Sequence, residues 1–230
     1  MNSEHKIIKI CGLSEPHNIE AIANLNPDWI GLIFYKNSPR YINGNSLANW
    51  FNEKGNNQIG AVKKVGVFVN EDFEEIIAKC IAFDLAFIQL HGNENPNYIK
   101  SLKTLLTDHH LNHIKIIMAF GVSASFDFKT LSEYDIFISY FLFDTKTEMK
   151  GGSGVKFPWS KLEEYAGNIP FLLSGGIGPL DYEEIKNINH PQFAGIDLNS
   201  KFESSPGLKN VSLLQVFFNC LHEFRLNSKF

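Results

Sequence analysis

The feature that most constrains this chain is a regular alternation of element types. Eight short apolar runs recur along it: Lys6–Ile10, Trp29–Phe34, Lys64–Val69, Ala86–Leu90, Lys115–Ala119, Ile136–Phe143, Pro170–Ser174 and Phe193–Leu198. Near-continuous apolar runs of this length are what strands buried on both faces require. Between them lie stretches with apolar residues at helical spacing. Phe73, Ile76, Ile77 and Cys80 form one such stripe, opened by Asn70-Glu71-Asp72. Further helices are expected over His17–Leu25, from Asn95-Pro96 to Leu106, from Gly178-Pro179 to Ile188, and from Asn210 to Leu226.

Strand followed by helix, repeated eight times, implies parallel strands joined by right-handed crossovers. An open doubly wound sheet and a closed barrel both satisfy that pattern. Eight units, with no hairpin signal between strands and no long linker, favour closure. The expectation is an α/β fold, a (β/α)8 TIM barrel of eight parallel strands and outer helices, spanning residues 1–230 as a single domain. The twenty phenylalanines predict an aromatic-filled core. Gly55–Gly60 reads as a polar surface turn. The segment Asp108–His113 reads as a solvated loop, because its three histidines lack carboxylates or thiolates at ligand spacing.

Charge and cysteine content exclude several classes. A net charge of −4 gives no attraction for nucleic acid or an anionic membrane. Three scattered cysteines, Cys11, Cys80 and Cys220, form neither a disulfide framework nor a zinc site, and they fit a reducing compartment. No run of 18 apolar residues is present, and MNSEHKIIKI does not read as a secretory signal. A cytoplasmic protein is the expectation.

In such barrels chemistry sits at the C-terminal ends of the strands and in the loops that follow. The residues there are Cys11-Gly12, Ser38-Pro39-Arg40, His91-Gly92, Asp144-Thr145-Lys146 with Gly151-Gly152-Ser153-Gly154, Ser174-Gly175-Gly176, and Asp197 through Asn199-Ser200-Lys201. Gly152, Ser153, Gly154, Gly175 and Gly176 let backbone N–H groups converge, as a phosphate requires, although glycines also simply make tight turns. Cys11 is either a small buried hydrophobe or a base, and Lys9 on the same face would favour its thiolate. Asp144 closes an apolar run. It is either an acid that keeps its proton or a salt-bridged aspartate with Lys146 available. Arg40 suits a planar carboxylate, or is a surface arginine after a turn. His91 is a substrate hydrogen-bonder or a structural histidine, and Asp197 orients a ligand or satisfies backbone donors. Cys80 and Cys220 lie on helical apolar stripes and read as packing. No Gly-x-Ser-x-Gly elbow supports a serine nucleophile.

Taken in order, the motifs resemble one family. Lys9-Ile10-Cys11-Gly12, Gly31-Leu32-Ile33-Phe34, Ser38-Pro39-Arg40-Tyr41, Val65–Asn70, Ile88–Gly92, Phe143–Lys146, Gly151–Gly154 and Leu173–Gly176 are similar to the phosphoribosylanthranilate isomerases over nearly the whole chain. The resemblance implies a barrel without metal or organic cofactor, acting on a small phosphorylated substrate as a monomer or homodimer. It implies an Amadori rearrangement in tryptophan biosynthesis that converts N-(5-phosphoribosyl)anthranilate to 1-(2-carboxyphenylamino)-1-deoxyribulose 5-phosphate. Cys11 matches the family's general base and Asp144 its general acid. Arg40 matches the residue near the anthranilate carboxylate, and the glycine loops match its phosphate site. His91, Asp197, Asn199 and Ser200 complete the expected substrate contacts. Two positions depart from the pattern: Lys201 stands where the family has glycine, and Phe143 where leucine is usual. The rival readings are another phosphate-binding barrel, such as a sugar-phosphate epimerase or indole-glycerol-phosphate synthase, and a non-catalytic phosphate binder. The first would show metal-ligating His/Asp sets or catalytic lysines at the strand ends.

Overall fold

A computed structural model describes residues 5–145 and 156–227, with side chains as far as 221. The strands are β1 (Ile7–Cys11), β2 (Trp29–Ile33), β3 (Lys63–Phe68), β4 (Phe87–Leu90), β5 (Lys115–Val122), β6 (Tyr140–Thr145), β7 (Phe171–Leu173) and β8 (Phe193–Leu198). They form a closed barrel in chain order, and β8 returns to pair in parallel with β1 through Ile7↔Gly195 and Lys9↔Asp197. Closure, rather than an open sheet, is therefore the architecture.

Alternation along each strand divides the core in two. Inward residues Trp29, Val65, Phe87, Ile117, Ala119, Leu142 and Leu172 fill the barrel, and Cys11, Ile33 and Val67 form a separate cluster at the C-terminal ends of their strands. Outward residues pack against the surrounding elements α1 (Pro16–Ala23), α2 (Ser46–Trp50), α3 (Asn56–Ile59), α4 (Phe73–Phe83), α5 (Pro96–Asp108), α6 (Tyr182–Lys186) and α7 (Val211–Asn227). Helix α5 starts where the sequence signals it. Pro96 needs no partner for its missing N–H, and the Asn95 side chain accepts from Tyr98 N at 2.9 Å.

Four local expectations are corrected. The segment read as a turn at Gly55–Gly60 is largely helical. Phe51–Gly55 forms a π-helical turn that runs into α3, and Gly55 is buried because a Cβ there would lie 2.5 Å from the Trp50 ring. Strand β6 starts at Tyr140, not Ile136, which is 80% exposed and so gains nothing from strand burial. The helix expected from Gly178 contracts to the five residues of α6. After β8 a hairpin does occur, β9 (Glu203–Ser205) with β10 (Leu208–Lys209), turning through Pro206-Gly207.

The units after β5 and β6 carry short 3-10 helices, Phe128–Tyr134 and Trp159–Glu164, among the described residues. Aromatic rings fill the space there: Phe128 against Phe143 at 5.2 Å and Phe143 against Phe171 at 5.0 Å, with Tyr165 touching all three. The predicted aromatic core is thus concentrated on this side. The histidine-rich segment 109–113 is a turn with all three imidazoles exposed. No helix among the described residues is long and apolar enough to cross a membrane.

Candidate active site

Cys11 ends β1, is 4% exposed, and packs beside Ile33 and Val67. Gly31, its register partner on β2, must lack a side chain, because a Cβ would lie 2.7 Å from the Cys11 sulfur. Beneath it, Lys9 is fully buried inside the barrel and donates to Asp197 Oδ1 at 2.9 Å, while Ser174 Oγ donates to Asp197 Oδ2 at 3.3 Å. Burial works against the Lys9 ammonium, but Asp197 and Cys11 outweigh it and hold the lysine charged. Burial pushes the Asp197 carboxyl up, and Lys9 draws it only part of the way back. Cys11 departs from expectation. Burial pushes its thiol up, Lys9 and Lys209 pull it down less strongly, and the net direction is upward. Lys9 therefore lies where the sequence put it, yet its charge only partly offsets the desolvation of the thiolate.

Asp144 lies near the end of β6, with its side chain 29% exposed. Oδ1 accepts from Thr145 N at 2.7 Å, and Oδ2 faces His91 Nε2 at 3.5 Å. Gly175, at φ +86°, leaves this carboxylate its room, since a Cβ would lie 2.5 Å from Asp144 Oδ1. Gly176 follows at φ +69°, so two successive glycines hold left-handed backbone in the loop after β7. The His91 loop is anchored from below by Glu94, which is 2% exposed. Its two oxygens accept from Asn70 N and Gly92 N, each at 2.7 Å. Asp197 interacts electrostatically with Lys9, Cys11, Asp144 and His91, so the thiol and the acid share one neighbourhood at the mouth.

Arg40 reaches the same mouth from the loop after β2. Its stem crosses Gly12, at φ +79°, where a Cβ would lie 2.6 Å from Arg40 Cδ and 2.9 Å from Asn199 Oδ1. Its guanidinium donates to Glu203 from Nε at 2.8 Å and Nη2 at 2.5 Å. Lys209 Nζ donates to Glu203 Oε1 at 2.5 Å and to Asn199 Oδ1 at 2.8 Å. Burial alone would push the Glu203 carboxyl up, but the hydrogen bonds and charges of Arg40 and Lys209 hold it below the ordinary range. Sequence reasoning missed Glu203 and Lys209. The Pro206-Gly207 turn between them was the available signal for a hairpin that folds both charges inward.

Ser200 opens a short 3-10 turn (Ser200–Phe202) after β8. The neighbouring Lys201 is exposed, and its Cβ and Cγ lie 3.9 Å from where a Gly178 side chain would begin. Lys201 thus stands beside the glycine loop after β7. Asn199 is committed to Lys209, and Asp197 is 5% exposed and engaged by Lys9 and Ser174 within the barrel. Gly152, Ser153 and Gly154, with Lys146, lie outside the described residues.

The arrangement offers a thiol and a carboxyl at one mouth, a guanidinium beside the thiol, and a left-handed glycine pair behind the carboxyl. Residues 8–220 match the model of the N-(5'-phosphoribosyl)anthranilate (PRA) isomerase family. An N-(5'-phosphoribosyl)anthranilate isomerase of Parabacteroides distasonis is 44% identical over 92% of this chain and 91% of its own length. The crystal structure of phosphoribosyl anthranilate isomerase from Thermotoga maritima superposes with a TM-score of 0.79 at 30% identity, covering 95% of this chain and 100% of that one. A phosphoribosyl anthranilate isomerase solved with reduced 1-(o-carboxyphenylamino)-1-deoxyribulose 5-phosphate gives a TM-score of 0.75 at 27% identity, over 95% and 100%. The fold and these likenesses agree: the chain belongs to the N-(5'-phosphoribosyl)anthranilate isomerase family.

Proposed function

We propose that Cys11 and Asp144 are the general base and general acid with which this chain isomerises N-(5-phosphoribosyl)anthranilate to 1-(2-carboxyphenylamino)-1-deoxyribulose 5-phosphate, the Amadori step of tryptophan biosynthesis. The observation that carries the roles is that both groups sit at C-terminal strand ends of one closed barrel and share Asp197 as an electrostatic neighbour. Asp144 protonates the furanose ring oxygen, and the anilino nitrogen pushes the ring open to a Schiff base. Cys11 then takes the proton from the sugar C2, giving an enol amine that tautomerises to the ketone. Each step needs one group of opposite protonation state, held in place by binding.

The remaining contacts follow the substrate's shape. Arg40 receives the ring carboxylate, next to the thiol. The N–H groups around Gly175 and Gly176 receive the phosphate, with Gly152, Ser153 and Gly154 from the neighbouring loop and Ser200 from the turn after β8. Lys201, standing in place of a glycine, adds a positive charge within reach of the same loop. His91 contacts the reacting end through Asp144, and Asn199 and Asp197 hold Lys209 and Lys9 in position.

Turnover is followed by the loss of anthranilate-type fluorescence, with a chelator present. Cys11→Ala and Asp144→Ala are each expected to lower kcat by at least the ~10²-fold typical of a lost acid or base. Arg40→Ala is expected to raise KM chiefly. A folded wild-type sample without turnover ends the proposal, and a near-normal kcat in either alanine variant removes that residue from its role.

A further inference from the structure

Arg40 is already bound to a carboxylate, and the manner of binding is informative. A guanidinium carries five N–H bonds in a planar fork. Glu203 takes one on Nε at 2.8 Å and one on Nη2 at 2.5 Å, the side-on mode. Two hydrogens on Nη1 and one on Nη2 are left over. The outer Nη1–Nη2 edge can therefore grip a second carboxylate with two parallel bonds.

Glu203 cannot readily turn away. Its Oε1 also accepts from Lys209 Nζ at 2.5 Å and from Gly207 N at 3.2 Å, and its side chain is 5% exposed. Lys209 is fixed in turn: Asn18 exchanges hydrogen bonds with its backbone, 2.8 Å to its N–H and 2.9 Å to its carbonyl. The far side of the arginine stem is set by the bare backbone of Gly12. Arg40 and Lys209 share this single carboxylate, so the trio carries one unit of positive charge beyond balance. A planar carboxylate arriving at the outer edge of Arg40 supplies the missing counter-charge.

We propose that Glu203 is the positioning residue of a carboxylate subsite: it takes the inner edge of Arg40 so that the outer edge meets the substrate's ring carboxylate beside Cys11. This rests on the reading of Arg40 given above and deepens it. Orienting the fork before binding removes the cost of ordering it during binding, so the effect falls on affinity for the carboxylate and not on the chemical step.

The test uses two variants. Glu203→Asp keeps the charge but is one methylene too short to span Nε, Nη2 and Lys209. Glu203→Gln keeps the length but turns a donor toward Arg40 Nη2. Both are expected to raise KM about tenfold, as loss of a charge-assisted bidentate contact does, with kcat within about threefold. A second readout separates positioning from general damage. Inhibition constants are measured for two reduced product analogues, one with and one without the ring carboxylate. The preference for the carboxylated analogue is expected to fall about tenfold, with the other analogue unaffected. Unchanged KM and preference, or equal weakening of both analogues, overturns the inference. If a single variant fails to fold, Glu203→Gln with Lys209→Met gives the same comparison without an unpaired buried ammonium. An unchanged KM in Arg40→Ala would sink the carboxylate reading itself. A raised KM there with normal Glu203 variants sinks only the positioning role.

Discussion

Replacing Asp197 by alanine gives the sharpest stability test. Lys9 is fully buried and Asp197 is 5% exposed, with 2.9 Å between Nζ and Oδ1. Removing the carboxylate strands an ammonium inside the barrel, where water cannot solvate it. Breaking such a pair costs about 3–5 kcal/mol, a large share of the roughly 5–15 kcal/mol that holds a domain folded. For a chain of this size that is a fall of about 6–20 °C in Tm, at roughly 2–4 °C per kcal/mol. Lys9→Met strands the acid instead, and its penalty depends on pH. Burial already pushes the Asp197 carboxyl up, and Lys9 no longer draws it back. A carboxyl with a raised folded pKa keeps its stability below the unfolded value of about 3.9 and loses it as pH rises through the folded value. The Lys9→Met penalty therefore grows from acid toward neutral pH. Lys9→Met with Asp197→Leu removes both charges and should recover most of the loss. Guanidinium denaturation of the wild type, Lys9→Met, Asp197→Leu and their double variant, with unchanged m, measures the cycle, and Asp197→Ala is unfolded beside them. The reasoning fails if Asp197→Ala costs under about 1 kcal/mol, or if the double variant loses the sum of the singles.

The remaining outcomes concern the thiols and the glycine beside Cys11. Iodoacetamide should inactivate the enzyme slowly at neutral pH and faster as pH rises, because burial pushes the Cys11 thiol up. Lys9→Met should move that profile to still higher pH by removing an ammonium that pulls the thiol down, and no movement refutes the coupling. Cys80, buried and pushed up to about 12, should be labelled only after unfolding, as read by peptide mass. Gly31→Ala should lower kcat far more than it raises KM, because the new Cβ would lie 2.7 Å from Cys11 Sγ and 2.9 Å from its Cα. A normal kcat would mean that the sulfur tolerates displacement.

Eight strands were legible because burial on both faces leaves a strong local signature, and β8 matches Phe193–Leu198 at both ends. What blurred was whatever depends on distant partners. Ile136 has the apolar, β-branched character of a strand residue, yet nothing covers it. Gly55 reads as a turn residue, but its missing side chain is what leaves room for the Trp50 ring. At the site, Cys11, Asp144, Arg40 and the Gly175-Gly176 pair were readable from their positions after strands. Glu203 and Lys209 were not, because a charge inside a hairpin looks like any surface charge until the fold turns it inward. The sequence could place Lys9 beside Cys11, but it could not weigh the ammonium's pull against the cost of burying a thiolate.

The hairpin after β8 has a consequence for how the molecule acquires its activity. Its Lys209 is tied to Asn18 of the first helix, and its Glu203 to Arg40 after the second strand, across 191 and 163 positions of chain. On the roles proposed for them, Cys11 and Asp144 are both encoded before β7 and β8, so an unfinished ring can contain the proposed acid–base pair and still lack the proposed carboxylate grip of Arg40. Affinity for the substrate's aromatic end is thus a reporter of whether head and tail have met, and it should be the last property to return on refolding.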